Sequence, residues 1–116
     1  IPFGAGPPLH VHDEQEDSFF VLEGVLTLQI GDELVELGPG DFGSVPPGIA
    51  HTFTNANPEQ PPVRAVNVMT PGGFDGYLRE MMSRTAPPDQ AEMDALGRRH
   101  GVTWVGPTIA GRLGLA

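Results

Sequence analysis

The apolar positions of the first seventy residues fall in short runs, broken by Gly, Pro and acidic residues, and this predicts strands. Leu9 to His12 is short and extended. Ser18 to Leu22 is apolar on both faces, rich in strand formers, and ends at Glu23-Gly24, which predicts a strand covered on both sides. Val25 to Ile30 alternates, with Leu26, Leu28 and Ile30 on one face and Val25, Thr27 and Gln29 on the other. Gly31-Asp32 turns this run into Glu33 to Leu37, and the two read as a hairpin. Gly38-Pro39-Gly40-Asp41 is a second turn, and Phe42 to Val45 is a short strand stopped by Pro46-Pro47-Gly48. His51 to Asn55 is the next strand, with His51, Phe53 and Asn55 on one face. Val63 to Met69 reads as a final core strand, with Arg64 and Asn67 as its polar exceptions.

After Pro71-Gly72-Gly73 the period changes. Phe74, Tyr77, Leu78, Met81 and Met82 recur at helical spacing and predict an amphipathic helix whose stripe packs onto the strands. A second helix is predicted over 89–99, with Gly101 as its C-terminal stop. The Gly- and Pro-rich residues 1–9 read as a loop, and residues 102–116 carry too little pattern for an assignment. The division that follows is strands over 1–70 and a helical C-terminal extension over 71–116, packed together as one domain, as a chain of 116 residues leads one to expect.

Composition narrows the class. A net charge of −9 argues against nucleic acid or an anionic membrane surface as a partner. There is no cysteine, hence no disulfide framework and no thiolate metal site, which fits a cytoplasmic protein. No apolar run approaches the roughly 20 residues that span a bilayer, and no signal peptide is visible. The chain starts at Ile1 and not at Met, so residues upstream of it are expected to have been removed or left out.

Candidate chemistry is concentrated between residues 10 and 55, which hold three of the four histidines. In an extended stretch His10 and His12 share a face, with Cα atoms about 7 Å apart, a span that two ligands of one ion can bridge. The acidic run 13–17 follows, and Asp13 and Glu14 read as solvated loop. Asp17 shares a face with Phe19 and Val21, whereas Glu16 alternates with Ser18 and Phe20, so Asp17 is favoured over Glu16 as a carboxylate ligand or acid/base group. With His51, imidazole nitrogen and carboxylate oxygen make a donor set for one divalent transition metal: Fe, Mn, Ni, Cu or Zn. Phe19, Phe42, Phe53 and Met69 are candidates for an apolar lining, with core packing as the alternative for each. His100 reads as a surface cation at a helix end. Asn55 reads as a turn-closing residue.

The spacing of this window resembles the cupin superfamily. Gly40, Pro46, Gly48, His51 and Asn55 match the second cupin motif at every position. Gly4, His10, His12 and Gly24 match the first, in which Asp17 stands where a glutamate is usual. The resemblance implies an all-β, cupin-type jelly-roll β-barrel with short C-terminal α-helices, and His10, His12 and His51 as metal ligands. It leaves Asp17, one methylene shorter than glutamate, either as fourth ligand or as a group orienting a ligand or water, with the longer Glu16 as its competitor. Cupins usually have one or two strands before the His-x-His strand, and only nine residues precede His10. Either the first strands lie outside this sequence or a neighbouring chain supplies cover, and a homodimer is expected. The phrase Phe19-Phe20-Val21-Leu22-Glu23-Gly24 and the stretch 99–107 look like small cupins grouped with quercetin 2,3-dioxygenases. That likeness implies a metal-dependent dioxygenase acting on an aromatic or enolic small molecule. A non-oxidative metal-dependent isomerase or lyase, and a non-catalytic small-molecule-binding cupin, are the alternatives.

Overall fold

The computed structural model describes residues 1–115; Ala116, the last residue of the predicted extension, lies outside the described residues. The strands are β1 (His10–His12), β2 (Glu16–Glu23), β3 (Leu26–Ile30), β4 (Glu33–Leu37), β5 (Phe42–Val45), β6 (His51–Thr54), β7 (Arg64–Thr70) and β8 (Val102–Trp104). Three helices complete the chain: α1 (Asp75–Met82), α2 (Gln90–His100) and α3 (Ile109–Leu113). A five-stranded sheet runs β4-β3-β6-β1-β8 and a three-stranded sheet runs β5-β2-β7. All pairings between these strands are antiparallel. The two sheets stay separate and do not close into a continuous hydrogen-bonded ring, an arrangement consistent with a jelly roll.

The inward faces meet in a core of Phe19, Val21, Leu26, Leu28, Leu37, Val45 and Val63. Fully burying each such side chain stabilises the fold by roughly 1.5–3 kcal/mol. β2 shows how the site is placed: Asp17, Phe19 and Val21 all point inward, so one strand carries a carboxylate at one end and core residues beyond it. The N-terminal loop runs along the outer face of β6. Thr52 Oγ1 donates to Pro7 O and Thr54 Oγ1 to Ala5 O, each at 2.6 Å. Asn55 is fully buried and its side chain ties the loop that follows β6: its Oδ1 accepts from Asn57 N at 3.1 Å and from Gln60 Nε2 at 2.6 Å.

Four elements differ from expectation. The outward face of β2 is open to solvent, with Phe20 and Leu22 both exposed, so β2 is covered on one side only. β7 is the edge of the smaller sheet and most of its residues are exposed, so it is an edge strand and not a core strand. The extension is not purely helical: Val102–Trp104 pairs with β1 and adds a strand to the larger sheet. In the helical stripe, Tyr77 is buried and Phe74 half-buried, while Leu78 and Met82 are exposed. α2 starts at an Asp89 cap that accepts from Glu92 N and stops at Gly101, whose φ of 70° suits glycine. Among the described residues, no helix is long and apolar enough to cross a membrane.

Candidate metal centre

β1 and β6 are neighbours, with His10 directly opposite His51. His12 follows His10 on the same inward face. The turn before β6 is fastened to β1: Gly48, at φ 82°, donates its N–H to His12 O at 2.9 Å. The facing sheet brings Asp17. The four side chains offer ligand atoms that all lie within 4.8 Å of one another. None of the four residues is more than 5% exposed.

Backbone carbonyls set the imidazole orientation. His10 Nδ1 lies 2.8 Å from Pro8 O and His51 Nδ1 lies 2.9 Å from Ile49 O. A carbonyl only accepts, so each Nδ1 carries the proton and each Nε2 is left for the centre. His51 Nε2 stands 2.9 Å and His12 Nε2 3.6 Å from the same Asp17 oxygen, Oδ2. His12 Nδ1 is buried and has no partner among the described residues, and Gln15 Oε1 is in the same condition. Burial pushes the His10 imidazole down to about 4, so it is a neutral nitrogen donor at neutral pH. For Asp17, burial acts to raise the carboxyl, but the His12 and His51 rings and the Asn67 amide outweigh it and hold it well below the usual carboxylate range. Imidazole nitrogens around an ionised carboxylate, in a buried cluster whose ligand atoms lie this close together, fit one divalent metal ion.

Glu16 does not reach the centre. It is exposed, points to the outer face of β2 and accepts a hydrogen bond from Ser44 Oγ at 2.7 Å. Phe42 is also on the outer face, paired across the strands with Phe20 and 63% exposed, so it does not line the interior. Phe19 and Phe53 pack on each other in the core, ring centroids 5.1 Å apart. Met69 is half-buried and stands opposite Asp17 across β2 and β7. His100 is not a free surface cation: its Nε2 lies 2.7 Å from Glu80 Oε2, and Arg99 pairs with the other oxygen, so α1 is fastened to α2.

Sequence reasoning missed four residues around the centre. Asn67 Nδ2 donates to Asp17 Oδ1 at 2.6 Å. The Phe74 ring stands perpendicular to the His12 ring, centroids 4.9 Å apart, and stacks on Tyr77 at 4.8 Å. Trp104 lies against His10 at 5.4 Å. Asn67 had a signal, a polar residue in an apolar strand; Phe74 and Tyr77 were visible only as a helix stripe.

A jelly-roll pair of sheets with three histidines and a carboxylate between them defines a metal-binding cupin. The chain belongs to that family: the cupin domain family matches residues 1–69. Among curated proteins it is similar to quercetin 2,3-dioxygenase of Bacillus subtilis, 29% identical over 72 residues, 62% of this chain and 20% of that protein. It is also similar to quercetin 2,3-dioxygenase of Aspergillus japonicus, 34% identical over 71 residues, 57% of this chain and 19% of that protein. The chain thus spans about a fifth of the length of these relatives. Among solved structures it resembles a sugar phosphate isomerase of the cupin superfamily from Silicibacter pomeroyi, with a TM-score of 0.55 and 29% identity over 62% of this chain and 46% of that one.

Proposed function

We propose that this chain is a metal-dependent cupin dioxygenase acting on an aromatic or enolic small molecule. The observation that carries the reading is the buried cluster of His10, His12, Asp17 and His51. A redox-active divalent metal held there would supply Lewis-acid activation of an enolate or phenolate oxygen and a template for O₂. The three imidazoles keep their Nε2 atoms turned inward. Asp17 presents Oδ2 to the same point, as the carboxylate ligand of that set. Glu16, which turns outward to Ser44, is not given that role in this reading. Phe74 and Trp104 bring aromatic rings against His12 and His10, apolar surroundings that suit an aromatic substrate. Likeness to two quercetin 2,3-dioxygenases points the same way.

A second reading, a non-oxidative isomerase or lyase, is favoured by the likeness to the sugar phosphate isomerase structure. The chain has no lysine, so an acid/base pair there would be drawn from other groups. One experiment separates the two. Protein purified without chelator is assayed for metal by elemental mass spectrometry and for oxygen uptake with flavonols. About one equivalent of Fe, Mn, Ni or Cu and substrate-dependent uptake support the dioxygenase. Turnover of a sugar phosphate under anaerobic conditions supports the isomerase instead.

The reading extends to a cytoplasmic homodimer. The outer face of the β5-β2-β7 sheet exposes Phe20, Leu22, Phe42, Val66 and Val68, an apolar surface suited to a second copy.

A further inference from the structure

Asp17 has two oxygens with different neighbours. Oδ2 faces His51 Nε2 at 2.9 Å and His12 Nε2 at 3.6 Å. Oδ1 accepts from Asn67 Nδ2 at 2.6 Å, and the same amide donates to Ser18 O at 2.9 Å. Asn67 lies on β7, opposite Phe19 of β2, and so is the diagonal neighbour of Asp17, whose own partner is Met69. A diagonal pair on one face of a sheet is within reach of a short amide.

We propose that Asn67 is the positioning residue that makes Asp17 a one-oxygen metal ligand. The proposal rests on the metal-centre reading above and goes beyond it by naming what fixes the carboxylate. The terminal torsion of an aspartate is broad and nearly two-fold, so a free carboxylate would exchange its two oxygens toward the centre. An aspartate also reaches one methylene less far than a glutamate, which leaves less slack to correct a poor orientation. The Asn67 amide occupies Oδ1 and is itself held by the Ser18 carbonyl, so the carboxylate plane is fixed and Oδ2 is the atom presented. The amide also satisfies an oxygen that a metal bound to Oδ2 alone would leave without a partner. Partners that orient metal ligands in this way typically govern 10- to 100-fold of metal affinity.

The test uses the full chain and Co(II) as probe. Binding is followed by chelator competition and by the visible absorption of the bound ion, which reports its coordination. Asn67→Ala and Asn67→Leu are compared with wild type, Leu keeping the bulk of the side chain without its donor, and metal-free melting temperatures control for folding. Asn67→Gln, which keeps an amide one methylene longer, is the conservative variant. The expected result is a loss of about 10- to 100-fold in Co(II) affinity in Ala and Leu, a changed Co(II) spectrum, and partial rescue in Gln. In an Asp17→Ala background, removing Asn67 should cost nothing further, since the two act on one ligand. Co(II) affinity unchanged in Asn67→Leu while Asp17→Ala loses it overturns the proposal and leaves the metal centre standing. An equal loss from Asn67→Ala with and without Asp17 overturns it too, because the amide would then support the strand through Ser18 O alone. Wild type that takes up no Co(II) overturns the metal centre and this role with it.

Discussion

His51 Nε2 and Asp17 Oδ2 lie 2.9 Å apart across the gap between the two sheets. Since His51 Nδ1 already faces the Ile49 carbonyl, this contact requires a proton on each ring nitrogen. A metal ion at Nε2 takes the place of one of those protons, so metal uptake should release protons into solution. Calorimetric titration of the protein with Co(II) in two buffers of different ionisation enthalpy measures that release directly. A heat that does not depend on the buffer would contradict it.

Removing one ligand should empty the centre. His51→Ala is expected to lose most bound metal, and Asp17→Ala to lose at least about 10-fold in affinity, whereas Glu16→Ala should bind as wild type because its side chain turns away. Metal in 100-fold excess over Kd stabilises by about 2.7 kcal/mol, a melting shift on the order of 10 °C for a domain of this size. Thermal scans with and without metal should show that shift in wild type and Glu16→Ala only. A metal-dependent shift retained in His51→Ala would refute the assignment.

The metal-free protein should be acid-labile in a defined window. Burial lowers His10 from 6.5 to about 4, so between those values the unfolded chain binds a proton that the folded chain refuses. The stability linked to His10 is therefore full above about pH 6.5 and is lost as pH falls toward 4, by up to about 3 kcal/mol. Urea unfolding at pH 7 and pH 5 measures the loss, and His10→Gln should flatten the slope between them. An equal slope in wild type and variant would remove His10 as the cause.

The four ligand candidates were legible because two rules of strand geometry act on them directly. Alternation puts His10 with His12, and separates Asp17, which travels with Phe19 and Val21, from Glu16. The Pro46-Pro47-Gly48 turn marks where His51 begins a strand. What covers a strand is not written in its own residues. Apolar residues on both faces of β2 read as double burial, yet Phe20 and Leu22 face water, and β7 likewise lies at an edge. The same blindness assigned Phe42 to the lining. β8 is three residues long and exists because β1 offers it an edge, a long-range pairing that no local pattern announces. Asn67 and Phe74 stood out as a polar exception and a stripe residue, but their partners, Asp17 and His12, are set by tertiary contact.

Phe74 packs against His12 from the helical side. Its ring stands perpendicular to the His12 ring, centroids 4.9 Å apart, and the helix behind it is held by Glu80 to Arg99 and His100 of α2. Phe74→Ala should cost about 1–2 kcal/mol, less than a fully buried phenylalanine because the residue is half-buried. It should also speed the stripping of bound metal by a chelator, followed by stopped-flow absorbance. An unchanged rate would mean that metal leaves by another route.

The exposed apolar face makes the last prediction. Phe20, Leu22, Phe42, Val66 and Val68 present apolar side chains to water on a three-stranded sheet whose inner face carries Asp17 and part of the core. A second copy packed on that face would remove the cost of hydrating it, and Phe42, at 63% exposure, has the most to gain. Phe42→Glu introduces a charge that a packed apolar interface rejects, yet it touches neither the core cluster nor the metal ligands. Wild type is therefore expected to sediment as a dimer and Phe42→Glu as a monomer, with metal content the same in both. If wild type sediments as a monomer at about 100 μM, a Kd weak enough to correspond to less than roughly 5.5 kcal/mol of association, the second copy is not what covers this face.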